Sequence, residues 1–376
     1  MCSSDEPKIL VVNPGSTTTR VALFAGGSPL RGGSLPAPSS EPWADLWDEF
    51  PSRMEIIRGW LGREAIKKAE ISAVVGRGGL LRPVEGGTYL VTEAMLADAR
   101  GNRQGAHASN LGCALARALA DEVARELAEE PSGVPTKAQL RGGSVPAFVV
   151  DPVSTDEFGA LARYSGLRDI PRRSLSHALS IHALVREVCR REGREVEGSR
   201  FVVAHLGGGI SVCPVADGRI LDANNANSGG PFSPTRAGGL PTQELLALCF
   251  SGGSTLREMK ALTLKRGGLV DYLGTGDAME VEERIQGGDD EARMVYEAMA
   301  YQIAKEIGAM ATVLNGKVER ILLTGGLAGS PLLTGWIRDR VTFLAPVEVW
   351  PEVEEMKAMA LGALRVLKGE ALAMEY

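Results

Sequence analysis

The chain has 376 residues, of which 44% are hydrophobic and 23% charged, and its formal net charge is −6. This composition is typical of a folded globular protein and excludes a disordered chain. An acidic balance without a Lys/Arg-rich block excludes a nucleic-acid-binding surface. Five cysteines are scattered without a CxxC pair, which favours a reducing compartment over a disulfide framework or a zinc site. The first residues, MCSSDEPK, are polar, and the sequence has no run of about 18 apolar residues. We therefore expect a cytoplasmic protein of two or three domains that binds neither membranes nor nucleic acids.

Strand-length apolar runs alternate along the chain with helix-length segments rich in Ala, Leu, Glu and Arg, a pattern typical of α/β proteins. The predicted strands cover residues 9–13, 21–24, 73–76, 147–150, 201–205, 211–215, 321–324 and 347–350. The predicted helices cover residues 54–69, 110–129, 177–191, 240–250, 289–314 and 354–368. Two stretches rich in Gly, Pro and Ser, residues 26–40 and 129–145, are predicted as exposed loops without a chemical role.

Two of these regions resemble each other although half the chain separates them. The first reads ILVVNPGSTTTRVALFAGG from Ile9, and the second reads FVVAHLGGGISVCPVADGRILDAN from Phe201. Each is an apolar strand, a glycine-centred turn with a hydroxyl residue, a second strand and a further glycine turn. A weak internal repeat of this kind indicates a duplicated βββαβα unit.

Three glycine-rich turns follow predicted strands, at residues 13–17, 207–211 and 325–330. Glycine lets the backbone approach an anion, and the N–H groups and hydroxyls of a turn can bind phosphate oxygens. Any one of these turns could be an ordinary hairpin, but the three together favour a nucleotide phosphate site. The chain has no GxxxxGK[ST] motif and no GxGxxG after a strand, which excludes a P-loop and the simplest dinucleotide fold.

Several charged residues stand where a surface residue is not expected. Arg77 directly follows a predicted buried strand, Arg236 lies in the loop GGPFSPTRAGG, and Asp151 ends another strand. His107 stands just before one predicted helix, and His177 stands at the start of another. A lone arginine or histidine of this kind is more often structural. Together they match a phosphoryl-transfer centre, since arginine binds carboxylate and phosphoryl oxygens, aspartate binds Mg²⁺ and a positioned donor stabilises the transferred group.

With these residues in place, the chain resembles the acetate and butyrate kinase family of the actin/Hsp70/sugar-kinase ATPase superfamily. The resemblance extends from Ile9 to about Lys368 and rests on VVNPGSTTTRVALF, GRGGLLRPVEGGTYLV, AHASNLG, VVDPVSTDEF, HLGGGIS, NSGGPFSPTRAGGLP, LVDYLGTGD and LLTGGLAGSP. It implies a two-lobed α/β fold, a duplicated βββαβα (actin-like ATPase, ribonuclease H-like) unit with the nucleotide in the cleft between the lobes. The first lobe would comprise residues 1–152, with the C-terminal helix of residues 356–376 returning to it. The second, nucleotide-binding lobe would comprise residues 153–355.

The resemblance implies catalytic roles for four residues. Arg77 and Arg236 would hold the carboxylate and the moving phosphoryl group, and His177 would stabilise the transition state. Asp151 matches the strand-end aspartate of the family. The residues implied to organise Mg²⁺ are Asn13, Asp151 and Glu355, with Glu354 as the alternative to Glu355.

The nucleotide is expected to bind at all three turns. The first turn would contribute Asn13, Ser16, Thr18 and Arg20, whereas Thr17 and Thr19 are expected to face away. The second turn would contribute His205, Gly207, Gly208, Gly209 and Ser211. The adenosine side would be formed by Asp277, Gly325, Gly326 and Gly329.

The acyl-binding positions depart from the pattern of acetate kinases. Those enzymes place Val, Leu and Phe around the substrate methyl, and the aligned positions here are Gly79, Ala106 and Ser176, beside His107. Smaller side chains would admit a longer or branched acyl chain, and each buried methylene contributes about 0.8 kcal/mol. The stretch at residues 129–145 also looks longer than usual in the family, which indicates a surface insertion.

The expected reaction is therefore reversible, Mg²⁺-dependent phosphoryl transfer from ATP to butyrate or a branched homologue, giving an acyl phosphate and ADP. A carboxylate is already ionised, so no general base is required. An acetate- or propionate-preferring enzyme remains the alternative within the family. A sugar kinase would use Asp151 as its base, and an actin/Hsp70-like module would switch partner binding, but neither explains Arg77 together with Arg236. The resemblance also implies a homo-oligomer, a dimer or larger.

Overall fold

The computed structural model describes residues 6–37, 45–129, 145–351 and 353–376. The chain divides into two compact units. The first unit combines Met1–Thr155 with Glu354–Tyr376, and the second is the continuous segment Asp156–Val353. The expected lobes differ slightly at both boundaries, and in the structure Glu355 belongs to the first unit rather than the second. The loop expected at residues 129–145 lies, apart from its two end residues, outside the described residues.

Within the described residues the chain forms eleven strands and eleven α-helices. The strands are Lys8–Pro14 (β1), Thr18–Ala25 (β2), Ser28–Pro36 (β3), Ile71–Arg77 (β4), Thr88–Leu90 (β5), Ala147–Val150 (β6), Arg200–Leu206 (β7), Ile210–Ala216 (β8), Arg219–Ile220 (β9), Arg320–Thr324 (β10) and Val347–Trp350 (β11). The helices are Phe50–Arg63 (α1), Glu93–Arg100 (α2), Leu111–Glu129 (α3), Ala178–Arg191 (α4), Thr242–Phe250 (α5), Leu256–Lys265 (α6), Leu269–Leu273 (α7), Ala278–Gln286 (α8), Asp290–Val313 (α9), Pro331–Val341 (α10) and Glu355–Lys368 (α11). No helix in this part of the chain combines the length and the apolar character that a membrane span requires.

The two units contain sheets of the same design. The first sheet has the order β3-β2-β1-β4-β6-β5 and the second β11-β10-β7-β8-β9. In the first sheet β1, β2 and β3 pair antiparallel, and β4 joins β1 in parallel. In the second, β7, β8 and β9 pair antiparallel, and β10 joins β7 in parallel. The duplicated unit predicted from the internal repeat is therefore confirmed.

Side chains of the central strand β7 alternate between two cores, as the period of a strand requires. Val202 and Ala204 pack with buried residues of α9 and α10, whereas Phe201 and Val203 pack with buried residues of α4. Helices therefore cover both faces of the second sheet. This explains why β7 is a continuous apolar run in the sequence rather than an alternating one.

A close backbone contact joins β4 to α3 in the first unit. A Cβ atom on Gly76 would lie 2.5 Å from the Gly112 carbonyl carbon, and one on Gly112 would lie 2.9 Å from the Arg77 nitrogen. Only glycine permits backbones to approach so closely. The two glycines thus bring the start of α3 directly against the strand end that carries Arg77.

Every predicted strand and helix is present, but the loop prediction for residues 26–40 is wrong. Residues 28–36 of that stretch form β3, which pairs with β2. A Cβ on Gly33 would lie 2.8 Å from the Trp60 indole nitrogen, so a glycine is needed here for packing rather than for a turn.

The helix predicted at residues 54–69 begins earlier, at Phe50, and ends at Arg63, because Ala65 has a φ of 51° and turns the chain. The pattern also missed β5 and β9, which are three and two residues long, respectively, and the helices α2, α6, α7, α8 and α10.

Candidate active site

The first turn joins β1 to β2, where Pro14 pairs with Thr19. The Gly15 N–H donates to the Thr18 carbonyl (2.7 Å) and closes the turn. Ser16, like Arg20, is exposed, and Thr18 is half-buried, so this turn presents hydroxyls and a guanidinium at the surface.

The two threonines that were expected to face away from this surface differ in the structure. Thr19 is buried and its hydroxyl accepts a hydrogen bond from Arg53. Thr17 is exposed instead, and its carbonyl accepts from the Ala37 N–H (2.9 Å).

In the first unit, the Glu355 side chain lies close to three other predicted site residues. Its carboxylate accepts from the Asn13 amide (3.3 Å), and it lies 3.6 Å from the Arg20 guanidinium and 3.8 Å from that of Arg77. Glu355 is the first residue of α11, so the return of that helix to the first unit creates the cluster. Two guanidinium groups and one carboxylate therefore lie together in this cluster.

Asp151 adjoins this cluster through Arg77, whose guanidinium donates to the Asp151 carbonyl (3.4 Å). The Asp151 side chain is fully buried and accepts from the Gly87 N–H (2.8 Å). Its φ of 38° is uncommon for a residue other than glycine. Such strain costs about 1–3 kcal/mol and persists only when the surroundings impose it, which is characteristic of functional sites.

The donors of the first unit fit Mg²⁺ in its usual protein environment. Asp151 and Glu355 offer carboxylate oxygens and Asn13 an amide oxygen, and these are the hard ligands that Mg²⁺ prefers. Among the described residues there is no group of three or more His, Cys, Asp or Glu side chains that could hold a metal ion. Because Mg²⁺ is ordinarily held by one or two carboxylates together with water and substrate phosphate, this sparse set suits a nucleotide-bound ion.

The structure corrects the interpretation that Gly79 is small in order to enlarge the acyl-binding pocket. A Cβ on Gly79 would lie 2.6 Å from the backbone nitrogen of Asn110, whose side-chain oxygen accepts from the Leu80 N–H (2.8 Å). Gly79 is therefore small because it packs against Asn110, not because a substrate needs the space. Ala106 and His107 are exposed, and the His107 ring caps the short helical turn that follows by accepting from the Ser109 N–H.

The second turn joins β7 to β8, where Leu206 pairs with Ile210. The hydroxyl of Ser233 donates to the Gly208 carbonyl (2.6 Å), and that of Thr235 does so at 3.3 Å. Both hydroxyls belong to the loop that carries Arg236. That loop is therefore fastened to the turn, although the sequence alone did not single out either hydroxyl.

Arg236 lies directly over this turn. A Cβ on Gly209 would be 2.6 Å from its Cζ atom, so the guanidinium occupies the space that any larger residue would fill. Burial lowers the pKa of Arg236, since removal from water disfavours the charged form. A desolvated guanidinium interacts more strongly with an anion than an exposed one does.

His177 is held between two neighbours in the second unit. Its Nδ1 lies 2.9 Å from the Ser211 hydroxyl, and its ring stacks on that of His205 with centroids 3.9 Å apart and planes 13° apart. His205 and Ser211 face each other across the β7–β8 pair. Ser176, the third acyl-pocket candidate, is buried immediately before His177. Residues predicted from two separate motifs, RRSLSH and HLGGGIS, thus meet in one place.

The residues predicted for the adenosine side do not form a comparable cluster among the described residues. Asp277 is exposed and caps α8 by accepting from the Met279 N–H (2.9 Å), so a structural role accounts for it. Gly325 has a φ of 89°, and a Cβ there would lie 2.9 Å from the Leu206 nitrogen, which brings this third turn against β7. Gly326 and Gly329 border open space.

The solved structures that resemble this chain show its fold. An acetate kinase from Porphyromonas gingivalis superposes with a TM-score of 0.75 at 18% identity, covering 96% of this chain and 100% of that one. A propionate kinase from Francisella tularensis gives a TM-score of 0.70 at 16% identity, covering 95% and 98%. The chain therefore has the actin-like ATPase fold that was expected.

The sequence comparisons give the family. The model of the acetokinase family matches residues 168–333. A protein named probable butyrate kinase 2, from Caldanaerobacter subterraneus subsp. tengcongensis, is 46% identical over 365 residues, covering 96% of this chain and 98% of its own length. A probable butyrate kinase from Listeria innocua is 43% identical over 364 residues, covering 96% and 97%. At this identity and coverage, the chain belongs to the acetokinase family.

Proposed function

We propose that this protein is an ATP-dependent short-chain carboxylate kinase that phosphorylates butyrate or a branched homologue, giving the acyl phosphate and ADP. The observation that carries the proposal is the placement of one arginine beside the glycine turn of each unit. Arg77 shares Glu355 with the first turn, and Arg236 lies over Gly209 of the second. The names of the relatives, probable butyrate kinases, support the same chemistry.

The reacting carboxylate is already a nucleophile, so the protein has to position and neutralise rather than remove a proton. In this proposal Arg77 and Arg236 bind oxygens of the acid and of the phosphoryl group. His177 donates to a phosphoryl oxygen, and its bond to Ser211 fixes the orientation of the ring. Preorganised donors of this kind stabilise the charge that develops in the transition state.

ATP and ADP are the proposed nucleotides, with their phosphates at the first and second turns. Asn13, Asp151 and Glu355 would hold Mg²⁺, which would supply neutralisation of the phosphate charge when bound. The exposed Ser16 and Arg20 and the half-buried Thr18 would line the same phosphates.

Trapping acyl phosphate with hydroxylamine tests this function directly. The purified protein is incubated with Mg·ATP, hydroxylamine and one compound at a time: acetate, propionate, butyrate, isobutyrate or a hexose. We expect hydroxamate from the acids, with the largest kcat/KM for butyrate or isobutyrate. ADP formation with the hexose alone would indicate a sugar kinase. ATP hydrolysis without hydroxamate would indicate an ATP-driven binding module.

Preference for butyrate over acetate is the finer part of the proposal. The reinterpretation of Gly79 as a packing residue removes one of its three supports, and Ala106 and Ser176 remain. Because a buried methylene contributes about 0.8 kcal/mol, two more methylenes should raise kcat/KM for butyrate over acetate by about 10-fold or more. A ratio near one would assign the protein to the acetate- and propionate-preferring group.

We also propose a cytoplasmic homo-oligomer, a dimer or larger. The thiols of Cys113, Cys189, Cys213 and Cys249 are free, as a reducing compartment would maintain them. Burial raises the pKa of Cys113 to about 12, so this thiol is inert towards oxidation. Light scattering coupled to size-exclusion chromatography would give the oligomeric state, and a monomer at micromolar concentration would contradict it.

A further inference from the structure

A buried arginine lies behind the first turn and has no role in the mechanism proposed above. Arg53 of α1 is only 1% exposed and is among the largest fully buried side chains of the described residues. Its Nη1 donates to the Thr19 hydroxyl (2.6 Å) and its Nη2 to the Gly15 carbonyl (2.9 Å). One guanidinium is therefore bonded to both ends of the turn from the inside.

Glu49 holds this guanidinium in place. One oxygen of its carboxylate accepts from Nε (2.8 Å) and from Nη2 (2.6 Å) of Arg53, and its side chain is 17% exposed. Removing a charge from water is costly unless the charge is paired and hydrogen-bonded. Arg53 satisfies both conditions only in this arrangement, so its position is strongly specified.

The outer side of the same turn is where the polar groups reach solvent. Ser16 is exposed between the two residues that Arg53 contacts. Two backbone hydrogen bonds also restrain the turn, from Gly15 to Thr18 and from Ala37 to Thr17. Neither of these bonds connects the turn to a helix, whereas the bonds of Arg53 connect it to α1.

We propose that Arg53 is a positioning residue that fixes the first turn in the conformation that binds nucleotide phosphate. The inference rests on the proposed function to the extent that this turn is taken to bind phosphate. Arginine is required because its planar fork reaches Thr19, Gly15 and Glu49 at the same time, whereas a lysine ammonium is a single point. An ordered turn loses less conformational entropy on binding than a mobile one. A substitution of Arg53 that leaves the turn mobile should therefore weaken nucleotide binding more than butyrate binding.

The test compares Arg53→Lys with Arg58→Gln, a control on the same helix whose exposed side chain pairs with Glu122. Affinity for Mg·ADP is measured by calorimetry, the order of residues 14–18 by hydrogen–deuterium exchange, and stability by thermal melting. For Arg53→Lys we expect Mg·ADP to bind about 10-fold more weakly, the turn to exchange faster, and KM for butyrate to change less than twofold. The control should match the wild type in Mg·ADP affinity, in exchange of residues 14–18 and in KM for butyrate.

Unchanged affinity and exchange in a folded Arg53→Lys protein would overturn the inference, as would an equal loss for butyrate and for Mg·ADP. If Arg53→Lys does not fold, Thr19→Val decides, because it keeps the shape of the residue and removes one acceptor of the guanidinium. We expect about threefold weaker Mg·ADP binding for Thr19→Val, and no change would reject the role.

The calorimetry also separates this inference from the proposed function. A wild-type protein that binds Mg·ADP but forms no acyl phosphate refutes the carboxylate kinase, and the comparison of Arg53→Lys with Arg58→Gln still decides the role of Arg53. A wild-type protein that does not bind Mg·ADP refutes both.

Discussion

The first and second turns occupy the same position in their sheets but differ in chemistry. Each connects the first two antiparallel strands of its unit, with Pro14 opposite Thr19 in one and Leu206 opposite Ile210 in the other. The first turn is rich in hydroxyl residues, and the second consists of three glycines. One hairpin framework has therefore produced one turn that carries polar side chains and one that presents only backbone.

The two turns are also supported in different ways. The first is fastened from its buried side by Arg53. The second is fastened through Gly208 by hydroxyls of the loop that brings Arg236 across Gly209. A turn with its own polar groups thus needs internal support, whereas a bare turn leaves room for a cation from elsewhere in the chain.

The strongest test of this difference is removal of the cation at the second turn. Arg236→Gln should lower kcat about 10²–10³-fold, the usual cost of losing one donor to the transition state. Steady-state assays of acyl phosphate formation would measure the change. Arg236→Lys keeps the charge and should recover part of the loss. Near-normal turnover of the Gln variant would show that the guanidinium has no catalytic part.

A matched pair of glycine substitutions tests whether the bare backbone is there for Arg236. A Cβ on Gly209 would displace the guanidinium, whereas one on Gly208 meets nothing within 4 Å. Gly209→Ala should therefore lower kcat by about 10-fold or more, since small displacements of a catalytic group are costly. Gly208→Ala, measured in the same assay, should stay within about twofold. Equal effects would contradict the proposed use of the space.

A smaller effect is expected where the second unit orients its histidine. Ser211→Ala removes the hydrogen bond to His177 Nδ1, worth about 1 kcal/mol, and should lower kcat about fivefold. Ser180→Ala is the control, since its buried hydroxyl has no hydrogen-bond partner among the described residues. If the two variants behave alike, Ser211 does not orient the ring.

The smallest effect is expected at the first turn, where several hydroxyls share the contact with phosphate. Ser16→Ala should raise KM for ATP about threefold and leave KM for butyrate unchanged, because one exposed hydrogen bond of about 0.7 kcal/mol is lost. Thr17→Ala should change neither constant. Initial rates at varied ATP and fixed butyrate provide the measurement. A larger effect at Thr17 than at Ser16 would reverse the assignment of the two exposed hydroxyls.

The sequence predicted strands well where the strand is buried on both faces and is therefore a continuous apolar run, as in β1 and β7. It failed for β3, which contains Gly32 and Gly33 and reads as a loop. That segment is a strand because β2 offers it a partner and because Gly33 admits the Trp60 ring. Pairing and close packing of this kind are properties of the folded chain rather than of a short window.

At the site, too, the sequence predicted individual residues but not all of their contacts. The resemblance placed Asn13 and Glu355 together at a metal site and expected a C-terminal helix to return to the first lobe, but the contacts of Glu355 with Arg20 and Arg77 are visible only in the structure. Gly79 was misinterpreted because a sequence does not show in which direction a missing side chain would point.

The role of Arg53 was not predicted, although its position in the sequence is unusual for a charged residue. It occupies the same buried stripe of α1 as Ile57 and Trp60. A charged residue at an apolar position of an amphipathic helix indicates a buried partner, and here that partner is the first turn.

The discontinuity of the first unit has a consequence for biosynthesis. The second unit is the single segment Asp156–Val353, whereas the first unit needs Glu354–Tyr376, which follows the second unit in the chain. Gly362 of α11 packs so closely on β6 that a Cβ would lie 2.6 Å from Val150, so the first unit cannot complete its packing until α11 has been made. Glu355 is part of α11, so a nascent chain lacks the carboxylate that contacts Asn13 and Arg20 until this helix has been made.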